Sequence, residues 1–310
     1  MTCATLYDVP APAKLNLFLH VVGRRADGYH LLQTAFRFID LADTLDFERR
    51  PDGAIERAYD LPGVAPDDDL VVRAARALQQ ASGTSHGARI GLVKRIPQGG
   101  GLGGGSSDAA TTLIALNRLW NTGLSRRELM ALALPLGADV PVFVFGQPAF
   151  AQGVGEELAA VALPEAGYLV AQPDASVPTA AIFGAPDLTR DTKSVKIADF
   201  LAYPKAGFGK NDLEPVAFAR YPEILRCSEW LKAQLQAPVR MSGSGACLFV
   251  EFATQAQALL AQQEITATMR VAANSTTRAT CTTRSTAPEF RLIQACAGLA
   301  EHPLWHWIAS

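Results

Sequence analysis

Little in the sequence points to an oxidising compartment or a strongly charged partner. The five cysteines (Cys3, Cys227, Cys247, Cys281 and Cys296) are odd in number, widely spaced and free of any C-x-x-C pair, which argues against a disulfide framework and a thiolate zinc site. A net charge of -2 provides no field to gather nucleic acid or an acidic membrane surface. No apolar run approaches membrane-spanning length, the first ten residues lack a basic n-region, and no repeat recurs at solenoid spacing. The expectation is a cytoplasmic chain with free thiols, no nucleic-acid or membrane partner and no obligate protein partner evident. Its 310 residues suffice for two modest domains sharing a cleft.

What is abundant, locally, is glycine. In Pro97-Gln98-Gly99-Gly100-Gly101-Leu102-Gly103-Gly104-Gly105-Ser106-Ser107-Asp108, six of seven consecutive residues are glycine. Glycine buries no side chain and loses the most backbone entropy on ordering, so another gain must offset that cost. Positive φ angles at several positions let successive N–H groups converge on one point, which makes a receptor for an anion. Ser106, Ser107 and Asp108 read as the cap and first turn of a helix whose Ala109, Leu113, Leu116 and Trp120 recur at helical spacing. A loop entering a helix N-terminus adds free donors and the positive end of the helix dipole, so polyphosphate is the expected guest. No lysine follows the glycines, which excludes a Walker loop. Lys94-Arg95-Ile96-Pro97 separates them from the preceding strand and no acidic residue follows at the expected distance, which argues against a dinucleotide fingerprint.

The segment Pro97 to Ala110 resembles the ATP-binding loop of the galactokinase, homoserine kinase, mevalonate kinase and phosphomevalonate kinase (GHMP) superfamily, in the wording of the branch whose alcohol substrate carries cytidine diphosphate. That resemblance implies an α+β, two-domain GHMP-kinase fold with the active site in the inter-domain cleft. It implies ATP as phosphoryl donor, with Mg2+ bridging phosphate oxygens through Ser107 and the loop from Pro97 to Ser106 as the cradle. The expected division is a nucleotide-binding domain over 1–155, a substrate domain over 156–274 and an atypical tail over 275–310.

Ala13-Lys14-Leu15-Asn16-Leu17-Phe18-Leu19 alternates, placing Lys14 and Asn16 on the strand face opposite Ala13, Leu15, Leu17 and Leu19. On residues alone Lys14 reads as an exposed strand charge; the resemblance makes it the catalytic lysine and Asn16 a substrate contact. Asp27-Gly28 marks a tight turn before Tyr29 and His30. The resemblance assigns those two the cytosine, Tyr29 by stacking and His30 at the polar edge, with Phe36 beside the substrate and Thr179 and Phe183 completing the base pocket. Asp67-Asp68-Asp69 reads as a cap for a helix from Leu70, and the resemblance puts Asp69 near the adenine, at a position where the family carries asparagine. Lys94 reads as either nucleotide-contacting or solvated.

Gly137-Ala138-Asp139 reads as a tight turn before a hydrophobic strand, and the resemblance makes Asp139 the catalytic carboxylate. Gln152 to Glu156 reads as a hairpin turn closing the first domain, Gly209 to Glu214 as ordinary capping, and Arg240 to Phe249 as a glycine turn before a buried strand, which the resemblance packs against the phosphate loop. Ser275 to Thr286 is poor in hydrophobic residues and reads as a solvated linker. His302 and His306 have helical spacing, but Pro303 lies between them and no third ligand is evident, so no metal is read there. Two alternatives stay open: a kinase of another small alcohol, and a nucleotide-binding regulator without catalysis.

Overall fold

A computed structural model describes residues 4–59, 65, 67–202, 207–276 and 287–308. The first half is built on two long antiparallel strands, β1 (Thr5–Arg24) and β2 (His30–Arg50). β2 runs unbroken over its 21 residues and pairs further with β4 (Gly87–Val93) and β5 (Ala149–Gln152). A short β3 (Ile55–Arg57) lies parallel to β4, and β6 (Glu157–Ala160) is antiparallel to β5. Helices α1 (Leu70–Ser82), α2 (Gly104–Leu119), α3 (Arg126–Ala133) and α4 (Val140–Phe145) cover this sheet. Phe36, Phe38 and Phe47 of β2 pack there with Leu78, Leu116 and Phe143 from the helices.

The second half carries a four-stranded sheet in the order β10-β7-β9-β8, from β7 (Gly167–Pro173), β8 (Arg240–Met241), β9 (Leu248–Phe252) and β10 (Phe290–Ala297). Its helices are α5 (Thr179–Phe183), α6 (Ile197–Ala202), α7 (Glu214–Arg220), α8 (Pro222–Leu235) and α9 (Gln255–Thr276). Side-chain alternation decides what each face of β7 covers. Leu169 and Ala171 join a core with α7 and α8, whereas Tyr168 and Val170 join one with Leu15 and Phe18 of β1. β1 is therefore a wall shared by both halves, and Ala11 to Val21 are buried without exception.

Three features depart from the sequence expectation. The run Val140-Pro-Val-Phe-Val-Phe145 is a helix, not a strand. Six apolar residues carry no period that separates the two, Pro141 costs nothing in a first turn, and Gly146 at φ 76 ends the helix. The turn after Gln152 does close a hairpin, but β6 remains in the first sheet, so that sheet extends past residue 155. The expected linker lies outside the described residues from 277 on, and the segment from residue 287 is neither solvated nor detached. β10 pairs with β7, Leu304 and Ile308 enter the core of the first half, and the buried His302 donates its backbone N–H to Gly146 O.

Candidate active site

The glycine loop alternates its handedness, with Gly99, Gly101 and Gly103 at φ 64, 72 and 72. Side chains are also excluded by space: a Cβ on Gly101 would lie 2.0 Å from Ser242 O, and one on Gly100 2.6 Å from Cys247 Sγ. The carbonyls of the loop are taken from outside. Gly99 O and Gly100 O accept from the N–H groups of Ala246 and Cys247, Leu102 O from Lys14 N, and Gly101 O from the Ser242 hydroxyl at 3.0 Å. By contrast, among the described residues no backbone N–H from Gly101 to Ser106 finds a carbonyl. With their oxygens occupied and their hydrogens free, these peptide groups form a donor cradle ending on α2. The helix begins at Gly104, two residues before the expected serine cap, because Gly103 at positive φ supplies the turn. Ser106 lines the cavity, whereas Ser107, expected as the metal ligand, is fully buried behind it with no hydrogen-bond partner for its hydroxyl among the described residues.

A cavity of 1080 Å³ opens in front of the cradle at the junction of the halves, and every other expected site residue borders it. Lys14 is no exposed strand charge; it is 3 % accessible. Its ammonium donates to Asn16 Oδ1 at 2.5 Å and Gly101 O at 3.0 Å, stands 3.3 Å from Asp139 Oδ2, and lies 5.5 Å from the centroid of the Phe36 ring. Asn16 donates in turn to Thr34 Oγ1, which settles which amide atom faces Lys14. Asp139 precedes α4 and keeps its carboxylate 38 % accessible on the cavity side. Phe36 is a core residue whose ring also reaches the cavity.

Beside the glycine loop Lys94 is held, not solvated. It bridges Asp43 Oδ2 at 2.5 Å and Asp108 Oδ2 at 2.7 Å. Burial pulls its ammonium down, but the two carboxylates outweigh that and leave it above the ordinary lysine value. Burial raises the Asp108 carboxyl above the usual carboxylate range, with Lys94 opposing and Asp43 adding to the rise. Asp43 Oδ1 accepts from Arg95 N and Ile96 N, tying down the chain that leads into Pro97 and the loop. Asp69 caps α1 by accepting from Val71 N at 2.8 Å and pairs with Arg57 at 3.0 Å. Both of its oxygens already have protein partners.

At the far end of the cavity Tyr29 is 63 % accessible, and the His30 and Phe183 rings sit 5.1 Å apart. Thr179 lies in the first turn of α5 with its hydroxyl 2.9 Å from that of Ser244. Asn211 does more than cap a helix: its Nδ2 donates to Met241 O and Gly243 O, pinning the second glycine turn against the first. Asp43, Asp108 and Arg190 are not visible as site residues in the sequence, because their partners lie far away along the chain.

An anion cradle facing a buried ammonium and a carboxylate, at the junction of two α+β halves, is the arrangement of the GHMP kinases. The GHMP kinases N terminal domain matches residues 69–147 and the GHMP kinases C terminal domain residues 195–271. The chain is 75 % identical over 306 residues to the 4-diphosphocytidyl-2-C-methyl-D-erythritol kinase of Bordetella bronchiseptica, covering 99 % of this chain and 100 % of that protein. It is 62 % identical over 253 residues to the protein of the same name from an Azoarcus species, covering 82 % of this chain and 88 % of that one. A crystal structure of 4-(cytidine 5'-diphospho)-2C-methyl-D-erythritol kinase superposes with a TM-score of 0.70 at 38 % identity, over 83 % of this chain and 94 % of that one. Homoserine kinase from Cytophaga hutchinsonii shares the fold with a TM-score of 0.66 at 14 % identity, over 97 % of this chain and 96 % of that one. The chain belongs to the GHMP kinase family, in the group of the 4-diphosphocytidyl-2-C-methyl-D-erythritol kinases.

Proposed function

We propose that the chain transfers the γ-phosphoryl group of ATP to the C2 hydroxyl of 4-diphosphocytidyl-2-C-methyl-D-erythritol, a step in building isoprenoid precursors by the non-mevalonate route. The observation that carries the chemistry is the pairing of Lys14 with Asp139 at 3.3 Å beside a row of free backbone donors. Phosphoryl transfer leaves a protein little covalent work, so alignment and charge neutralisation dominate. The amides from Gly101 to Ser106 hold the phosphates. Lys14, fixed by Asn16 and Gly101 O, directs its remaining hydrogen-bonding capacity and its charge at the acceptor hydroxyl and the transferring group.

A carboxylate is too weak a base to ionise an alcohol beforehand. The hydroxyl oxygen therefore bonds to the γ-phosphorus as the bond from phosphorus to the ADP oxygen breaks, and Asp139 takes the proton late in that step. Among the described residues no group of three His, Cys, Asp or Glu could hold a resident metal. The donors present suit magnesium arriving with the nucleotide, an ion that prefers one or two protein oxygens beside phosphates and water. Ser106, whose Oγ lies beside Gly137 in the turn before Asp139, would hold it. When bound it neutralises phosphate charge. Tyr29 and Phe183 flank the cytosine, with His30 at its edge. No helix among the described residues is long and apolar enough to cross a membrane.

An ADP-release assay offering the cytidyl alcohol, mevalonate and homoserine in parallel tests the reading. ADP release with the cytidyl alcohol alone is expected. Turnover with another alcohol transfers the assignment to a different acceptor, and ATP binding without turnover removes the catalytic role.

A further inference from the structure

His30 borders the cavity at its base end, and its two ring nitrogens have different surroundings. Nε2 lies 3.1 Å from Nε of Arg190. A guanidinium has donors and no lone pair to offer, so at this contact the imidazole nitrogen is the acceptor and carries no proton. A neutral imidazole protonates one nitrogen, which places the hydrogen on Nδ1. Among the described residues Nδ1 has no hydrogen-bond partner. The ring thus presents an unsatisfied N–H where a base edge is to be read.

Arg190 is not free to swing away. Its Nη1 donates to Leu188 O at 3.0 Å, and its Nη2 to Ala185 O at 2.6 Å and Phe183 O at 3.2 Å. One guanidinium therefore joins the imidazole on β2 to the backbone of the segment that carries Phe183. The charges around the ring come from each neighbouring element: Arg24 at the end of β1, Asp27 in the turn and Arg190 after α5. Burial, then Arg190, then Arg24 hold the imidazole below the ordinary histidine value, which keeps it neutral at physiological pH.

Resting on the reading that the cavity takes a cytidyl substrate, we propose that Arg190 sets base specificity. By occupying Nε2 of His30 it fixes the imidazole as an Nδ1–H donor, which complements the N3 lone pair of cytosine and opposes the N3–H of uracil. Arg190 is on this account a positioning residue that touches no substrate atom itself. Without it the ring can place its proton on Nε2 and offer a bare Nδ1, an acceptor that suits uracil.

The test measures binding of cytidine 5'-diphosphate and uridine 5'-diphosphate to the full-length wild type, Arg190→Ala and Arg190→Lys, with 15N shifts of the imidazole nitrogens in the wild type. The wild type should show a bare Nε2 and a protonated Nδ1 and should prefer the cytidine ligand. Arg190→Ala should cut the cytidine-to-uridine affinity ratio by about tenfold, the scale of one misplaced hydrogen bond. In Arg190→Ala, lowering the pH through the His30 pKa should restore part of the ratio, because an imidazolium carries a proton on Nδ1 as well as on Nε2. Arg190→Lys, which keeps a donor-only head, should retain most of the ratio.

A wild-type Nε2–H tautomer overturns the proposal, and that measurement decides the matter even where Arg190→Ala does not fold. An equal loss of both affinities overturns it as well and leaves Arg190 as a support for Phe183. A wild type that binds neither diphosphate strikes the substrate reading itself and overturns the proposal with it.

Discussion

On the function proposed above, the two ends of the cavity recognise their targets by different means. The phosphate end is made of main chain: three glycines at positive φ, carbonyls held by β1 and by residues 242–247, and hydrogens left free. The base end is made of side chains on a turn and a short helix, with Tyr29 open to solvent and His30 aimed by a single guanidinium. A backbone receptor reads charge and shape common to all nucleoside triphosphates, and any Cβ in the wrong place disrupts it. A side-chain receptor distinguishes one base from another and can be weakened in steps. The Lys14–Asp139 pair sits between the two and depends on both.

The comparison can be sharpened first at its centre. Asp139→Asn should lower kcat by about 10²- to 10⁴-fold, the usual worth of general-base help, while ATP affinity by calorimetry stays near that of the wild type. Equal loss of both would move Asp139 out of the chemistry. At the phosphate end Gly101→Ala drives a methyl into Ser242 O and forces a left-handed backbone on alanine, so ATP affinity should fall about a hundredfold or more. Gly105→Ala is the control in the same loop: its nearest neighbour is Leu70 Cδ1 at 3.6 Å and it lies in α2, so thermal stability should rise, by up to about 1 kcal/mol.

The base end should give smaller effects. Tyr29→Ala should raise KM for the cytidyl substrate by roughly five- to 150-fold, the fold equivalent of losing one stacking face, with kcat little changed, whereas Tyr29→Phe stays near the wild type. A fall in kcat as large as that of Asp139→Asn would erase the distinction between the ends.

A separate effect, on stability alone, lies outside both ends, at His302. Burial lowers its pKa to about 3, with Arg126 adding to the shift. Its folded value is below its unfolded one, so its contribution is complete above pH 6.5 and is lost as the pH falls toward 3. His302→Asn should flatten the acid limb of unfolding stability over that window, by about 2 kcal/mol near pH 5.

The parts of this site legible in the sequence are those encoded by adjacent residues. A run of glycines before a helix carries its meaning within a few positions, whereas Lys14, Asn16 and Asp139 take theirs from the family resemblance of the short segments around them. The illegible parts need partners distant along the chain. Lys94 looks as ready for solvent as for nucleotide because Asp43, which holds it, lies 51 residues away. Arg190 carries no signal because its target, His30, is 160 residues upstream. The helix bearing Asp139 at its start reads as a strand because β-branched and aromatic residues favour strands, and burial on all sides leaves no amphipathic period to counter that preference. The closing segment reads as an atypical tail because the pairing of β10 with β7 and the entry of Leu304 and Ile308 into the first-half core join residues far apart along the chain.

The oxygens of the glycine loop are gripped from across the junction, by the Ser242 hydroxyl and the amides of Ala246 and Cys247. A fragment ending near residue 160 would possess every glycine of the loop and yet lack the clamp that turns its peptide planes. Affinity for triphosphate is thus a property of the assembled pair, and complementation of two separately expressed pieces should restore it only when they dock.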